Sequence, residues 1–294
     1  MATLREIKRR LTGVKNTQKI TRAMKIVAAT KLKRWEKDAV GSRPFFEHIE
    51  NMIKDLFLTG VGVDNPYLTP KAGKKLLIVV VTTDRGLCGA FNSNLTRKVY
   101  EYAKVERSKG KEVSFFPLGS KGIRVFTAKG ETLFKSLSGF ERRGKQELAH
   151  ELTQELTQLF FNSTFDEIII AYNGFINRSS YVTRIQPYLP ISFRKEESKS
   201  SPQLESDSKG FYAFEPSDAA VLKFLFPLYL ESKVFRSLIE SKTSEESARM
   251  LAMDYATENA SEIISELTLL YNRVRQSGIT KEISEIVGGA EALK

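Results

Sequence analysis

The chain has 294 residues and a formal net charge of +11, and 41 % of its residues are hydrophobic and 28 % charged. This composition supports a packed core and excludes a disordered chain, while the single cysteine, Cys88, excludes a disulfide framework and fits a reducing compartment. The opening MATLREIKRR lacks the apolar stretch of a secretory signal, and no apolar run approaches the roughly 20 residues that span a bilayer.

Residues 3–58 are predicted to form one long helix, since apolar or small side chains recur there at helical intervals. These positions are Leu4, Ile7, Leu11, Val14, Ile20, Met24, Val27, Ala28, Leu32 and Trp35. At 1.5 Å per residue the helix would be roughly 80 Å long, more than a small globule needs. Residues 1–38 hold twelve Lys and Arg against three acids, and this net charge of +9 predicts an acidic partner.

The middle of the chain has the pattern of an open, Rossmann-like α/β sheet between residues 76 and 192. Strands are predicted at 76–84, 113–119, 167–175 and 183–191, and helices at 91–108, 120–129 and 145–161. Residues 61–75, rich in Gly and Pro, are predicted to be a linker, and the Ser-rich residues 193–210 an exposed loop.

Residues 211–294 return to a helical rhythm with a heptad seam. The seam residues are Met253, Ala256, Ala260, Ile263, Leu267, Leu270 and Val274. We predict that this segment pairs with residues 1–60 as a long antiparallel coiled coil, so the fold class is α/β with a central sheet domain. The polar run ESKTSEES, residues 240–247, is interpreted as a solvated helix face.

No catalytic, cofactor or metal site is predicted, because the chain has neither a GxxxxGK[ST] loop nor a GxGxxG motif. TTDRGLCGAFN, residues 82–92, follows a strand, and we favour a structural strand-to-helix turn over a ligand loop. Cys88 in that turn is interpreted as a structural thiol. The only histidines, His48 and His150, lie on separate predicted helices and make a poor zinc set.

Three stretches, residues 7–34, 82–92 and 248–292, together resemble the γ subunit of the bacterial F-type ATP synthase. The last contains that family's signature, I-T-x-E-x-x-[DE]-x-x-x-G-A. Its members here are Ile279, Thr280, Glu282, Glu285, Gly289 and Ala290. The similarity runs through the whole chain in order, from the basic helix through the sheet domain to the C-terminal helix.

The resemblance implies a non-catalytic rotor shaft that couples ion flow through a membrane ring of c subunits to ATP synthesis and hydrolysis in the β subunits. Three α, three β and the ε subunit would be its other partners, with no substrate of its own. It implies β-subunit contacts at Arg275, Gln276, Met24, Lys25, Lys19, Arg22, Lys31 and Lys33. It places Ile283, Ile286, Val287, Gly288, Gly289, Ala290 and Leu293 in an apical bearing.

The expected location is peripheral, on the cytoplasmic side of a bacterial inner membrane, because no presequence precedes MATLREIKRR. From the residues alone, two other classes of protein remain as alternatives. The basic N-terminal helix permits a coiled-coil nucleic-acid binder, although no recognised binding module is present. The central sheet permits a stand-alone nucleotide-binding enzyme, against which the missing phosphate motifs argue.

Overall fold

A computed structural model describes residues 3–58, 65–140, 143–192 and 218–291. The elements in order are α1 (Leu4–Leu58), β1 (Lys75–Val81), α2 (Phe91–Ser108), β2 (Glu112–Leu118), α3 (Ser120–Ala128), α4 (Lys145–Phe161), β3 (Glu167–Asn177), β4 (Ser180–Leu189) and α5 (Asp218–Glu291). The predicted helices and strands are thereby confirmed. The loop predicted at 193–210 lies outside the described residues, as does part of the predicted linker.

The chain divides into two compact units. Unit 1 comprises Met1–Lys31 and Arg249–Lys294, and unit 2 comprises Leu32–Ala248. Each unit therefore contains a part of α1 and a part of α5.

Unit 2 is built on a four-stranded sheet with the strand order β2-β1-β3-β4. Strand β1 pairs in parallel with β2 and β3, and β4 pairs antiparallel with β3 at the edge. Residues 76–81 of β1 are at most 2 % exposed, which explains why this strand is apolar at every position rather than at alternate ones. The predicted open α/β sheet is confirmed.

Helices cover both faces of this sheet. On one face, Leu95 and Val99 of α2 and Phe126 of α3 pack on β1 and β2. On the other face, Leu152 of α4 shares a core with residues 49 and 53 of α1 and residues 222–238 of α5. The apolar stripes of the helices supply both cores, so unit 2 has a doubly covered sheet.

Unit 1 is an antiparallel pair of helices, as predicted. Side-chain contacts join residues whose numbers rise along α1 and fall along α5. These are Gln18 Nε2 to Ser261 Oγ at 2.7 Å, Thr257 Oγ1 to Thr21 Oγ1 at 2.8 Å, and Lys25 Nζ to Asp254 Oδ1 at 2.5 Å. All three contacts are polar, so this part of the seam is held by directional bonds as well as by apolar packing.

Of the apolar positions that predicted α1, three are exposed rather than buried: Leu4, Ile20 and Val27. Ile20 and Val27 are 60 % and 55 % exposed, whereas Thr21 is buried. The heptad set by Ile7, Leu11 and Val14 continues through Gln18 and Thr21, so the repeat, rather than the polarity of each residue, decides which face is buried.

The prediction of a solvated face at residues 240–247 was also wrong. Seven of these eight residues are buried, and Lys242 is half-buried. Some of their polar groups find partners within α5: Thr243 Oγ1 donates to the carbonyl oxygen of Ile239 at 2.8 Å, and Lys242 pairs with Glu245 at 2.8 Å. Ser247 instead bonds outside the helix, to the carbonyl oxygen of Arg178. Bonds of this kind offset much of the free-energy cost of burying polar side chains.

The hydrogen-bonded pair of the buried Thr21 and the half-buried Thr257 gives a first test of unit 1. Replacing both residues by valine is expected to leave thermal stability equal or slightly higher, because two hydroxyls are exchanged for apolar groups of the same shape. The replacement should also loosen the helix register, since buried polar pairs specify alignment. Cysteine cross-linking at Gln18 and Ser261 measures that register. An unchanged cross-linking pattern in the double variant would contradict a register-setting role.

Candidate functional site

The turn after β1, interpreted from the sequence as structural, is filled by the protein's own side chains. Thr82 Oγ1 donates to the carbonyl oxygen of Leu118 at 2.7 Å and accepts the Gly122 amide at 2.8 Å. The Ser120 amide donates to Asp84 Oδ1 at 3.0 Å. The first amides of α3 are thus capped by protein groups, which supports a structural turn.

Cys88 in the same turn is buried, as interpreted from the sequence, and shares a small core with Phe91 and Ala248. Asn92 Nδ2 lies 3.5 Å from the sulfur. Next to it, Leu87 is 62 % exposed and has a φ of 63°, a left-handed conformation that a leucine rarely adopts. No group of metal-ligating side chains occurs within the described part of the chain.

The basic stretch of α1 presents most of its predicted contact residues to solvent. Lys19, Arg22, Lys31 and Lys33 are exposed. Met24 is half-buried, and Lys25 forms an ion pair with Asp254 of α5 in which the two side chains are 40 % and 52 % exposed.

Exposed apolar residues on α1 were missed by the sequence analysis. Ile20 and Val27 lie seven residues apart on one face, and Ile26 is 61 % exposed on another. Together with the neighbouring cations they form a surface that is both apolar and positive. Extending the heptad from Ile7 would have predicted their exposure, because it assigns the seam to Gln18 and Thr21 instead.

The last part of α5 is exposed at every position from residue 275 to residue 290. Arg275 and Gln276 open this segment, and Ile283, Ile286 and Val287 are 56 %, 71 % and 55 % exposed. Of the other predicted bearing residues, Gly288, Gly289 and Ala290 are exposed, and Leu293 lies outside the described residues. No helix within the described ranges is both long and apolar enough to cross a membrane.

Comparison with known proteins identifies the family. The model of the ATP synthase family matches residues 3–293. The ATP synthase gamma chain of Halothermothrix orenii is 40 % identical over the full length of both chains. The gamma chain of Heliobacterium modesticaldum is likewise 40 % identical over both full lengths. This similarity spans α1, the sheet and α5 together.

Solved structures agree with this result. A chain from the central stalk and c-ring of the Tetrahymena thermophila mitochondrial ATP synthase matches with a TM-score of 0.61 and 26 % identity, over 81 % of this chain and 99 % of that one. A Euglena gracilis mitochondrial ATP synthase chain matches in fold, with a TM-score of 0.66 and 19 % identity, over 99 % and 94 % of the two chains. The chain therefore belongs to the family of ATP synthase gamma chains, the non-catalytic central-stalk subunits of that enzyme.

Proposed function

We propose that this chain is the rotor shaft of a bacterial F-type ATP synthase, turning inside three α and three β subunits and standing with ε on a membrane ring of c subunits. The observation that carries the proposal is family membership over residues 3–293. One charge crossing a membrane potential of 100 mV releases about 2.3 kcal/mol. The free energy of several such ion transfers must therefore be combined to make each ATP. A stiff shaft does this by favouring a different β conformation in each orientation.

The segments 1–60 and 211–294 form the shaft in this proposal, and residues 76–192 form the domain nearest the ring. A location at the cytoplasmic face of the bacterial inner membrane follows, because the shaft must reach the ring from the side where nucleotide is bound. The nucleic-acid binder considered from composition lacks support, since the family accounts for the basic helix and the sheet together.

The basic stretch of α1 is proposed to contact the β subunits. Lys19, Arg22, Lys31 and Lys33 are exposed cations suited to an acidic partner surface, and Met24 and Lys25 lie beside them. The exposed Ile20 and Val27 add apolar area to the same helix. A partner helix with acidic and apolar residues would match both properties.

The exposed end of α5 is proposed to turn in an apical bearing formed by the surrounding subunits. Its residues from Ile283 to Ala290 are apolar or small except for one acid, Glu285. Side chains without strong hydrogen-bonding demands slide against an apolar sleeve at little cost, whereas buried charges would be left without partners.

Arg275 and Gln276 provide the direct test of a β contact. With matching α and β subunits, the wild-type chain is expected to support sustained Mg-ATP hydrolysis. Replacing both residues by alanine should reduce that rate by about tenfold, since desolvated charged contacts carry much of an interface's energy. Arg273→Ala, an exposed neighbour, is the matched control and should keep the rate.

The same assay decides against the proposal if hydrolysis does not depend on the chain. In that case binding of the isolated chain to DNA, weakening steeply with salt, would favour the nucleic-acid binder. Binding of ATP by the isolated chain would instead favour a nucleotide-binding enzyme. Equal hydrolysis rates for the double variant and the wild type would contradict the proposed β contact of Arg275 and Gln276, but not the rotor-shaft function.

A further inference from the structure

Helix α5 meets the β3–β4 hairpin of unit 2 through three polar side chains spaced seven residues apart. Residues at this spacing lie on one face of a helix, and their partners step back along the hairpin as α5 advances. The contacts are Lys233 Nζ donating to the carbonyl oxygen of Pro187 at 3.0 Å, Glu240 Oε2 at 4.0 Å from Arg184 Nε, and Ser247 Oγ donating to the carbonyl oxygen of Arg178.

The central contact is a buried charge. The Glu240 side chain is 5 % exposed, and its Oε1 accepts a 2.8 Å hydrogen bond from Arg236 Nε one turn earlier. Burial lowers the pKa of Arg236, but the hydrogen bond and the charge of Glu240 outweigh it and hold that pKa above its ordinary value. A buried carboxylate between two guanidinium groups is costly to disturb, since removing one partner leaves another charge uncompensated.

The sheet makes room for this contact at Gly174 of β3. A Cβ atom added there would lie 2.5 Å from Arg184 Nε and 3.0 Å from Glu240 Oε2. Any larger residue at this position would displace the end of the Arg184 side chain. Arg184 of β4 can therefore reach α5 only because residue 174 of β3 is a glycine.

Apolar packing between a helix and a sheet is non-directional, so it resists separation more than it resists sliding. Hydrogen bonds and ion pairs depend on distance and angle, so they resist sliding as well. We propose that Lys233, Glu240 and Ser247 form a latch that fixes α5 in register on the β3–β4 hairpin, so that torque passes between the helix and the sheet domain without slip. This inference rests on the rotor-shaft function proposed above, and its positioning residue is Glu240.

The test uses the complete synthase assembled from its own subunits in membrane vesicles, with ATP hydrolysis and ATP-driven ion pumping measured together. Glu240→Gln removes the charge, and Gly174→Ala displaces Arg184 while leaving both charges in place. The matched controls are Glu262→Gln, an exposed acid on α5, and Gly41→Ala, whose added Cβ meets nothing within 4 Å. Both latch variants are expected to lose pumping at unchanged hydrolysis, and both controls to keep the wild-type ratio.

Hydrogen exchange on the purified full chain provides a second readout. In Glu240→Gln the amides of β4 are expected to exchange about tenfold faster, because the ion pair between Glu240 of α5 and Arg184 of β4 is lost. Wild-type pumping ratios in both latch variants, with unchanged exchange, would overturn the latch. A wild-type complex that neither hydrolyses ATP nor pumps ions would instead overturn the rotor-shaft function, so the two failures are distinguishable.

Discussion

Replacing Phe115 by alanine is expected to lower the free energy of unfolding of unit 2 by about 3–5 kcal/mol. Phe115 lies on β2, is fully buried, and stacks on Phe126 of α3 with ring centroids 4.6 Å apart. Truncation would remove a large apolar side chain and leave a cavity between the sheet and α3, which the surrounding rigid strands cannot close. Thermal or denaturant unfolding of the full chain measures the effect.

Phe224→Ala is the matched control, since this phenylalanine on α5 is 72 % exposed. It should change the free energy of unfolding by no more than about 0.5 kcal/mol. Equal losses for the two variants would mean that Phe115 does not occupy a packed core, and the assignment of α3 to that face of the sheet would be in error.

Gly119→Ala is expected to cost about 3 kcal/mol or more, combining backbone strain with a steric clash. Gly119 precedes α3 with a φ of 97°, and an added Cβ would lie 2.6 Å from the carbonyl oxygen of Thr82. That oxygen belongs to the backbone directly after β1, so the clash is relieved only by moving that backbone or the helix.

Gly130→Ala separates the two causes. Gly130 has a φ of 69°, but its added Cβ would meet nothing within 4 Å. Its replacement should therefore cost only the conformational penalty of about 1–2 kcal/mol. If unfolding curves show the same loss for both glycines, the close approach of Gly119 to Thr82 makes no contribution of its own.

The candidate surfaces were only partly accessible to sequence reasoning. The motif at the C-terminal end identified Arg275, Gln276 and the residues around Ile283, and these are exposed. The motif of the N-terminal helix included Lys25, but the sequence did not reveal that this lysine pairs with Asp254 on the other helix of unit 1. A contact between residues so far apart in sequence depends on the register of two helices, which composition does not fix.

The sequence by itself determined the order and type of the secondary-structure elements. Apolar periodicity is a local property, so the runs of β1 and the heptads of α1 and α5 specify strand and helix without reference to the rest of the chain. The same local signal predicted long helices in the N- and C-terminal segments and an open α/β sheet between them.

Tertiary structure decided which polar residues are buried and which apolar residues are exposed. Glu240 is buried because Arg236 and Arg184 surround it, and Gly174 leaves space for that arrangement. Ile20 is exposed because the heptad repeat puts the next residue, Thr21, in the buried seam instead. There Thr21 forms a hydrogen bond with Thr257. Burial depends on neighbours distant in the chain, and the free energy of a polar group depends on the partner it meets there.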